Sequence, residues 1–234
     1  MRIVGIDVYL HWTYWLAPVY IVYHNRVFGD QAWYVTGVLF FLLLNLSLCV
    51  LLHELGHALM ARRFGATTKD IIITPIGGMA RLVGMPKKPL QEFLISFAGP
   101  AVNLVIALLL AVAILLARGS LVPALRFEGL NQLPVILLWI NLVLFLFNLI
   151  PAFPMDGGRM LRSLLARRMS YLRATVIAAR LGQFSALWFS IYVLFEKQYP
   201  LVFVGVFVFF SAQFELNQTR ALQVSEMDGG SPER

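Results

Sequence analysis

The chain has 234 residues, of which 59% are hydrophobic and 13% charged, against about 45–50% and about 25% in an ordinary soluble domain. This composition excludes a water-soluble globule, and six spans of about 20 apolar residues would take roughly 120 positions, leaving short loops and a tail. The formal net charge of +7, from 19 Lys plus Arg against 12 Asp plus Glu, is spread between apolar runs, so it reads as membrane orientation and not as a nucleic-acid surface.

The amino terminus, MRIVGIDVYLHW, has no short apolar core followed by a small-residue cleavage site, so no removable signal peptide is expected. Apolar runs predict spans near residues 8 to 23, 34 to 61, 92 to 117, 133 to 150, 174 to 195 and 199 to 216, each bounded by charges, Pro or Gly. Alternate connectors assigned to opposite faces collect fourteen basic residues on one side and four on the other. That asymmetry supports six spans with both termini in the cytoplasm. The fold class expected is therefore an all-α polytopic membrane protein, with a membrane-embedded core over residues 1–216 and a polar, frayed cytoplasmic tail over 217–234. Cys49, the single cysteine, lies in an apolar run and excludes a disulfide framework.

Residues 68 to 84, TKDIIITPIGGMARLVG, are β-branched at first and then broken by Pro75, Gly77 and Gly78. They predict a short hairpin on the cytoplasmic side, directly after the second span.

The acidic residues set against the deep apolar runs are Glu54 and Asp156. An ionisable group at membrane depth costs about 2.5–3.5 kcal/mol at a helix centre, which makes each a functional candidate needing a partner. Glu54 belongs to His53-Glu54-Leu55-Gly56-His57, an HExxH motif. On a helix its histidines project one turn apart from one face and can grip one Zn²⁺, while Glu54 is offset to reach a water at the metal as general base. The alternative is a polar cluster that glues helices together. A catalytic zinc takes three protein ligands, and Asp156 is the candidate third. Its segment, Asn148-Leu-Ile-Pro-Ala-Phe-Pro-Met-Asp156-Gly-Gly-Arg, contains helix breakers that free a loop to bend back. The alternative there is an interfacial turn with Asp156 as a helix N-cap.

HELGH in an early span, GPAVN at 99 to 103 and NLIPAFPMDGGRM at 148 to 160 resemble the site-2 protease family of intramembrane zinc metalloproteases. The resemblance implies His53, His57 and Asp156 as ligands of one zinc per chain, Glu54 as catalytic base, and Asn148 with Asn103 holding the substrate backbone or oxyanion. With neither a PDZ nor a CBS domain, the chain resembles a minimal form of that family. The cell membrane is the expected location, and the charge asymmetry puts the active site toward the cytoplasm. For both asparagines, interhelical hydrogen bonding is the alternative.

The function expected is hydrolysis of peptide bonds in transmembrane segments of other membrane proteins, with the lipid bilayer and transmembrane substrates as partners and no nucleic acid. The competing reading is an inactive membrane protein whose structural metal site serves binding or transport. A spanning substrate must unwind locally before its carbonyls are accessible, and a strand edge within IIITPIGGMARL offers it main-chain pairing.

Overall fold

The computed structural model describes residues 1–28, 32–74, 77–84, 88–118 and 132–227. In chain order they form strands β1 (Arg2–Ile3) and β2 (Ile6–Leu10), a 3₁₀ turn at Trp12–Trp15, helices α1 (Leu16–Phe28) and α2 (Ala32–Arg63), and strands β3 (Thr67–Thr74) and β4 (Gly77–Val83). Helices α3 (Pro89–Arg118), α4 (Leu133–Asn148), α5 (Asp156–Leu165), α6 (Tyr171–Phe195) and α7 (Tyr199–Met227) complete them.

Among the described residues four helices are long and apolar enough to cross a membrane: Val35–Arg63, Pro89–Ala117, Tyr171–Phe195 and Tyr199–Val224. Two of the six expected spans, those at α1 and α4, are shorter than this and are not confirmed as spans. Helix α1 has 13 residues and α4 has 16, which at 1.5 Å per residue gives about 20 and 24 Å against a hydrocarbon core of about 30 Å. Residues 8–10, read from sequence as the start of the first span, belong to strand β2 instead. Residues 217–227, expected as tail, continue α7, and 228–234 lie outside the described residues.

The chain divides into two compact units. The first, residues 1–86 with 98–145, contains the sheet, α1, α2, most of α3 and α4 up to Phe145. Its sheet has the order β1-β2-β3-β4. Strands β3 and β4 pair antiparallel with Ile71 opposite Ala80, as the hairpin reading expects, and the turn positions 75 and 76 lie outside the described residues. Strand β2 pairs parallel to β3, with Val8 opposite Ile71 and Leu10 opposite Ile73. Parallel pairing requires a crossover, which α1 and α2 supply. Buried Ile6 and Val8 of β2, and Ile71 and Ile73 of β3, pack on Leu55 and Ala58 of α2. The sheet is thereby seated on the turn of α2 that carries HELGH. That helix stops at Gly65 (φ +85°), where the Gly65 N–H donates to the Arg62 carbonyl and the Ala66 N–H to that of Ala61, so the last free carbonyls find partners.

The second unit, residues 87–97 with 146–234, holds the first turns of α3, the end of α4 and helices α5 to α7. Its core is Phe153 with Ala178 and Ala179 of α6 and Ala212 and Leu216 of α7. The small residues allow close packing of the two long helices, and a polar ladder supports them: the Gln183 amide donates to Gln213 Oε1 (2.9 Å) and the Gln213 amide to Asn217 Oδ1 (2.9 Å). Bonds of this kind hold helices together where lipid gives no hydrophobic incentive. Arg162, counted from sequence among the cytoplasmic loop charges, is 4% exposed. Its Nε donates to Glu92 Oε1 (2.8 Å) and its Nη1 to Glu215 Oε1 (2.6 Å). Two carboxylates inside apolar helices are thus matched by one buried guanidinium.

Candidate metal centre

His53 and His57 lie one helical turn apart on α2, 6% and 7% exposed. Their rings meet edge to face at a centroid distance of 4.7 Å, and their Nε2 atoms converge to 3.1 Å. Two ligands at about 2.0–2.1 Å from a tetrahedral zinc stand about 3.3 Å apart, so the pair is spaced for one ion. The Nδ1–H of His53 donates to Asn103 Oδ1 on α3 at 2.6 Å. A bond of that kind on the far ring nitrogen fixes the tautomer and orients a metal-binding imidazole. Space is reserved as well, because a Cβ built on Gly99 would come within 2.7 Å of His53 Nε2.

Glu54, half-buried, turns toward the sheet. Its Oε2 accepts the backbone N–H of Ala80 on β4 at 2.9 Å. The carboxylate is therefore held by the hairpin and not by the imidazoles, which agrees with its offset around the helix.

Asp156 is the first residue of α5, and Met155 occupies the N-cap position. The N-cap alternative for Asp156 is thus corrected. A carboxylate in the first turn is favoured by the helix dipole. The preceding loop is tightly built: Ala152 and Phe153 are 2% and 1% exposed, and the Phe153–Pro154 bond is cis. Gly157 packs so closely that a Cβ there would lie 2.5 Å from the Leu149 carbonyl oxygen. His53 and His57 turn their Nε2 atoms toward one point within the first unit, and Asp156 belongs to the second. Two imidazoles suit Zn²⁺, for which a carboxylate is a common third donor where a fourth position stays open.

Asn148 ends α4, half-buried. Asn103 is fully buried, with its amide bonded to His53 and to Asn141, the interhelical bonding that is the alternative for it. Sequence reasoning passed over Asn141, whose only signal was an amide in an apolar run.

Apolar helices of spanning length, one of them carrying two convergent buried histidines, are the features of a membrane metalloprotein. The model of peptidase family M50 matches residues 41–131 and 123–189, and the chain belongs to that family. It is 36% identical over 217 residues to a protein named a zinc metalloprotease from Methanocaldococcus jannaschii, covering 92% of this chain and 59% of the relative. It is also 30% identical over 168 residues to stage IV sporulation protein FB of Bacillus subtilis, covering 71% and 55%. The chain thus spans under two thirds of the length of these curated relatives. Among solved structures, a site-2 protease from Methanocaldococcus jannaschii matches with a TM-score of 0.67 at 34% identity, covering 92% of this chain and 93% of that one.

Proposed function

We propose that this chain is a zinc metalloendopeptidase that hydrolyses peptide bonds in the transmembrane segments of other proteins. The observation that carries the reading is the approach of His53 and His57 Nε2 to 3.1 Å, with a glutamate beside the first histidine, in a chain with four apolar spans among the described residues; Asp156 is the third ligand this reading assigns. His53 and His57 through Nε2, and Asp156 through its carboxylate, would hold Zn²⁺, whose bound charge supplies the Lewis acidity that acidifies a water and polarises a carbonyl.

Glu54 takes one proton from the attacking water as its oxygen bonds to the scissile carbonyl carbon. As the C–N bond breaks, Glu54 returns that proton to the departing amine. Asn148, through its side-chain amide, would donate to the developing oxyanion, a contact worth about 2.7–4 kcal/mol where such donors are preorganised. Water reaches the site through a protein-lined path, since irregular backbone at membrane depth is tolerated only where protein or water covers it. With α1 and α4 taken as crossing too, the charge asymmetry supports cytoplasmic termini and a cytoplasmic-side site in the cell membrane.

The strand that would accept an unwound substrate is β4. Ile72 and Ile73 lie on β3, which pairs with both β2 and β4, whereas β4 is an edge. Main-chain pairing along Gly77–Val83 would hold a substrate beside Glu54 with little sequence preference.

The test is cleavage of a spanning reporter by purified wild type and Glu54→Gln in detergent, with zinc measured on both. The reading requires that wild type cuts while the variant holds zinc and does not. A variant that cuts as fast as wild type would refute it. Zinc bound equally by both without cleavage by either, across several reporters, would favour a structural metal in a binding protein.

A further inference from the structure

We infer that Asn141 is a positioning residue for His53: acting through Asn103, it fixes the imidazole with its proton on Nδ1, leaving Nε2 ready to bind a metal. The polarity starts at a group that cannot be reversed. The backbone carbonyl of Leu137 can only accept, and it takes Asn141 Nδ2 at 2.9 Å. The same Nδ2 faces Cys49 Sγ at 3.3 Å. Asn141 Oδ1 must then face the other way, where it accepts Asn103 Nδ2 at 3.0 Å. With its Nδ2 committed, Asn103 presents Oδ1 to His53 Nδ1 at 2.6 Å. A neutral imidazole has one N–H, and this acceptor draws it to Nδ1.

Asn103 and Asn141 are both fully buried and Cys49 is 7% exposed, so no bulk water is at hand to re-pair a flipped amide. Reversing the chain would set Asn141 Oδ1 against the Leu137 oxygen and an Asn103 N–H against Nδ1. It would also move the His53 proton onto the nitrogen that faces His57. The circuit closes on α2, because Cys49 lies one turn before His53 on the same face. Three helices, α2, α3 and α4, thereby share one directed set of hydrogen bonds with the protonation form of His53 as its output. The inference rests on the zinc reading for its consequence, though not for its geometry.

The experiment compares zinc dissociation constants, by chelator competition in detergent, for wild type, Asn141→Leu, Asn103→Asp and the double variant. An aspartate at 103 accepts the His53 Nδ1–H whichever way residue 141 points. Asn141→Leu is therefore expected to weaken zinc about 10- to 100-fold in the wild-type background and less than about threefold in the Asn103→Asp background. Equal losses in both backgrounds, or no loss in either, overturn the proposal. The metal-free wild type gives an independent reading through ¹⁵N-imidazole NMR at pH 8, with the His53 signals assigned by difference against His53→Gln. A proton on Nδ1 is expected, and a proton on Nε2 overturns the proposal. If wild type takes up no zinc, the peptidase reading fails while the tautomer still decides the positioning claim.

Discussion

Gly99 on α3 faces His53 on α2 so closely that a Cβ at Gly99 would stand 2.7 Å from the His53 Nε2, which no real methyl group tolerates. The absence of a side chain there is what lets the Nε2 atoms of His53 and His57 converge beside α3.

Gly99→Ala is therefore expected to push both imidazoles apart and bring zinc content well below one per chain, with helical circular dichroism retained. Gly37→Ala, on the same helix as the histidines but with nothing within 4 Å of the added carbon, should hold zinc as wild type does. Metal analysis of the two purified variants checks the contrast.

The Ala80 N–H that holds Glu54 can be deleted by Ala80→Pro. Proline is accepted on an edge strand where its nitrogen faces away from the ladder. Zinc should stay bound while reporter cleavage falls about 10- to 100-fold, the scale on which a misplaced catalytic group loses rate. Unchanged cleavage would mean that Glu54 does not need β4.

On the sheet, the Arg81 guanidinium hydrogen-bonds Asp70, with Nε to Oδ1 at 2.6 Å, and holds its carboxyl below the ordinary carboxylate range. A carboxyl whose pKa is lower folded than unfolded adds stability above its unfolded value, about 3.9, and loses it as pH falls through the folded one. Protection factors of the β3 and β4 amides, taken relative to the intrinsic exchange rate at each pH, should accordingly be steady from pH 7 to about 4.5 and fall below about 4. In Asp70→Asn that acid-dependent step should vanish, leaving lower protection throughout.

Removing Arg162 strands two carboxylates. Arg162→Met is expected to destabilise the second unit by about 3–5 kcal/mol, the usual result of leaving buried charge unpaired. Adding Glu92→Gln and Glu215→Gln should recover part of that loss. Thermal unfolding in detergent followed by tryptophan fluorescence measures both.

HELGH was legible in the sequence because a fixed spacing on a helix sets side-chain direction without knowledge of the rest of the chain. The hairpin was legible for the same local reason, a β-branched run followed by Gly77 and Gly78. Strand β2 was not: Val8 pairs with Ile71, a contact between distant residues, and its apolar residues merged by composition with those of α1. The lengths of α1 and α4 were overread because apolar runs continue past helix ends, as at Leu149 and Ile150. Glu92 and Glu215 carried no motif, and only the fold brings each to Arg162. Asn141 looked like any amide in a spanning helix, and its importance comes from the carbonyl at Leu137 and the amide at Asn103, which the sequence does not place beside it.

X-ray absorption at the zinc edge of the purified protein tests the ligand set most directly. The account predicts two imidazole nitrogens at about 2.0–2.1 Å, a carboxylate oxygen at about 2.0–2.2 Å and no sulfur shell, with one oxygen scatterer lost in Asp156→Ala. A sulfur shell near about 2.3 Å, or a spectrum unchanged in Asp156→Ala, would contradict it.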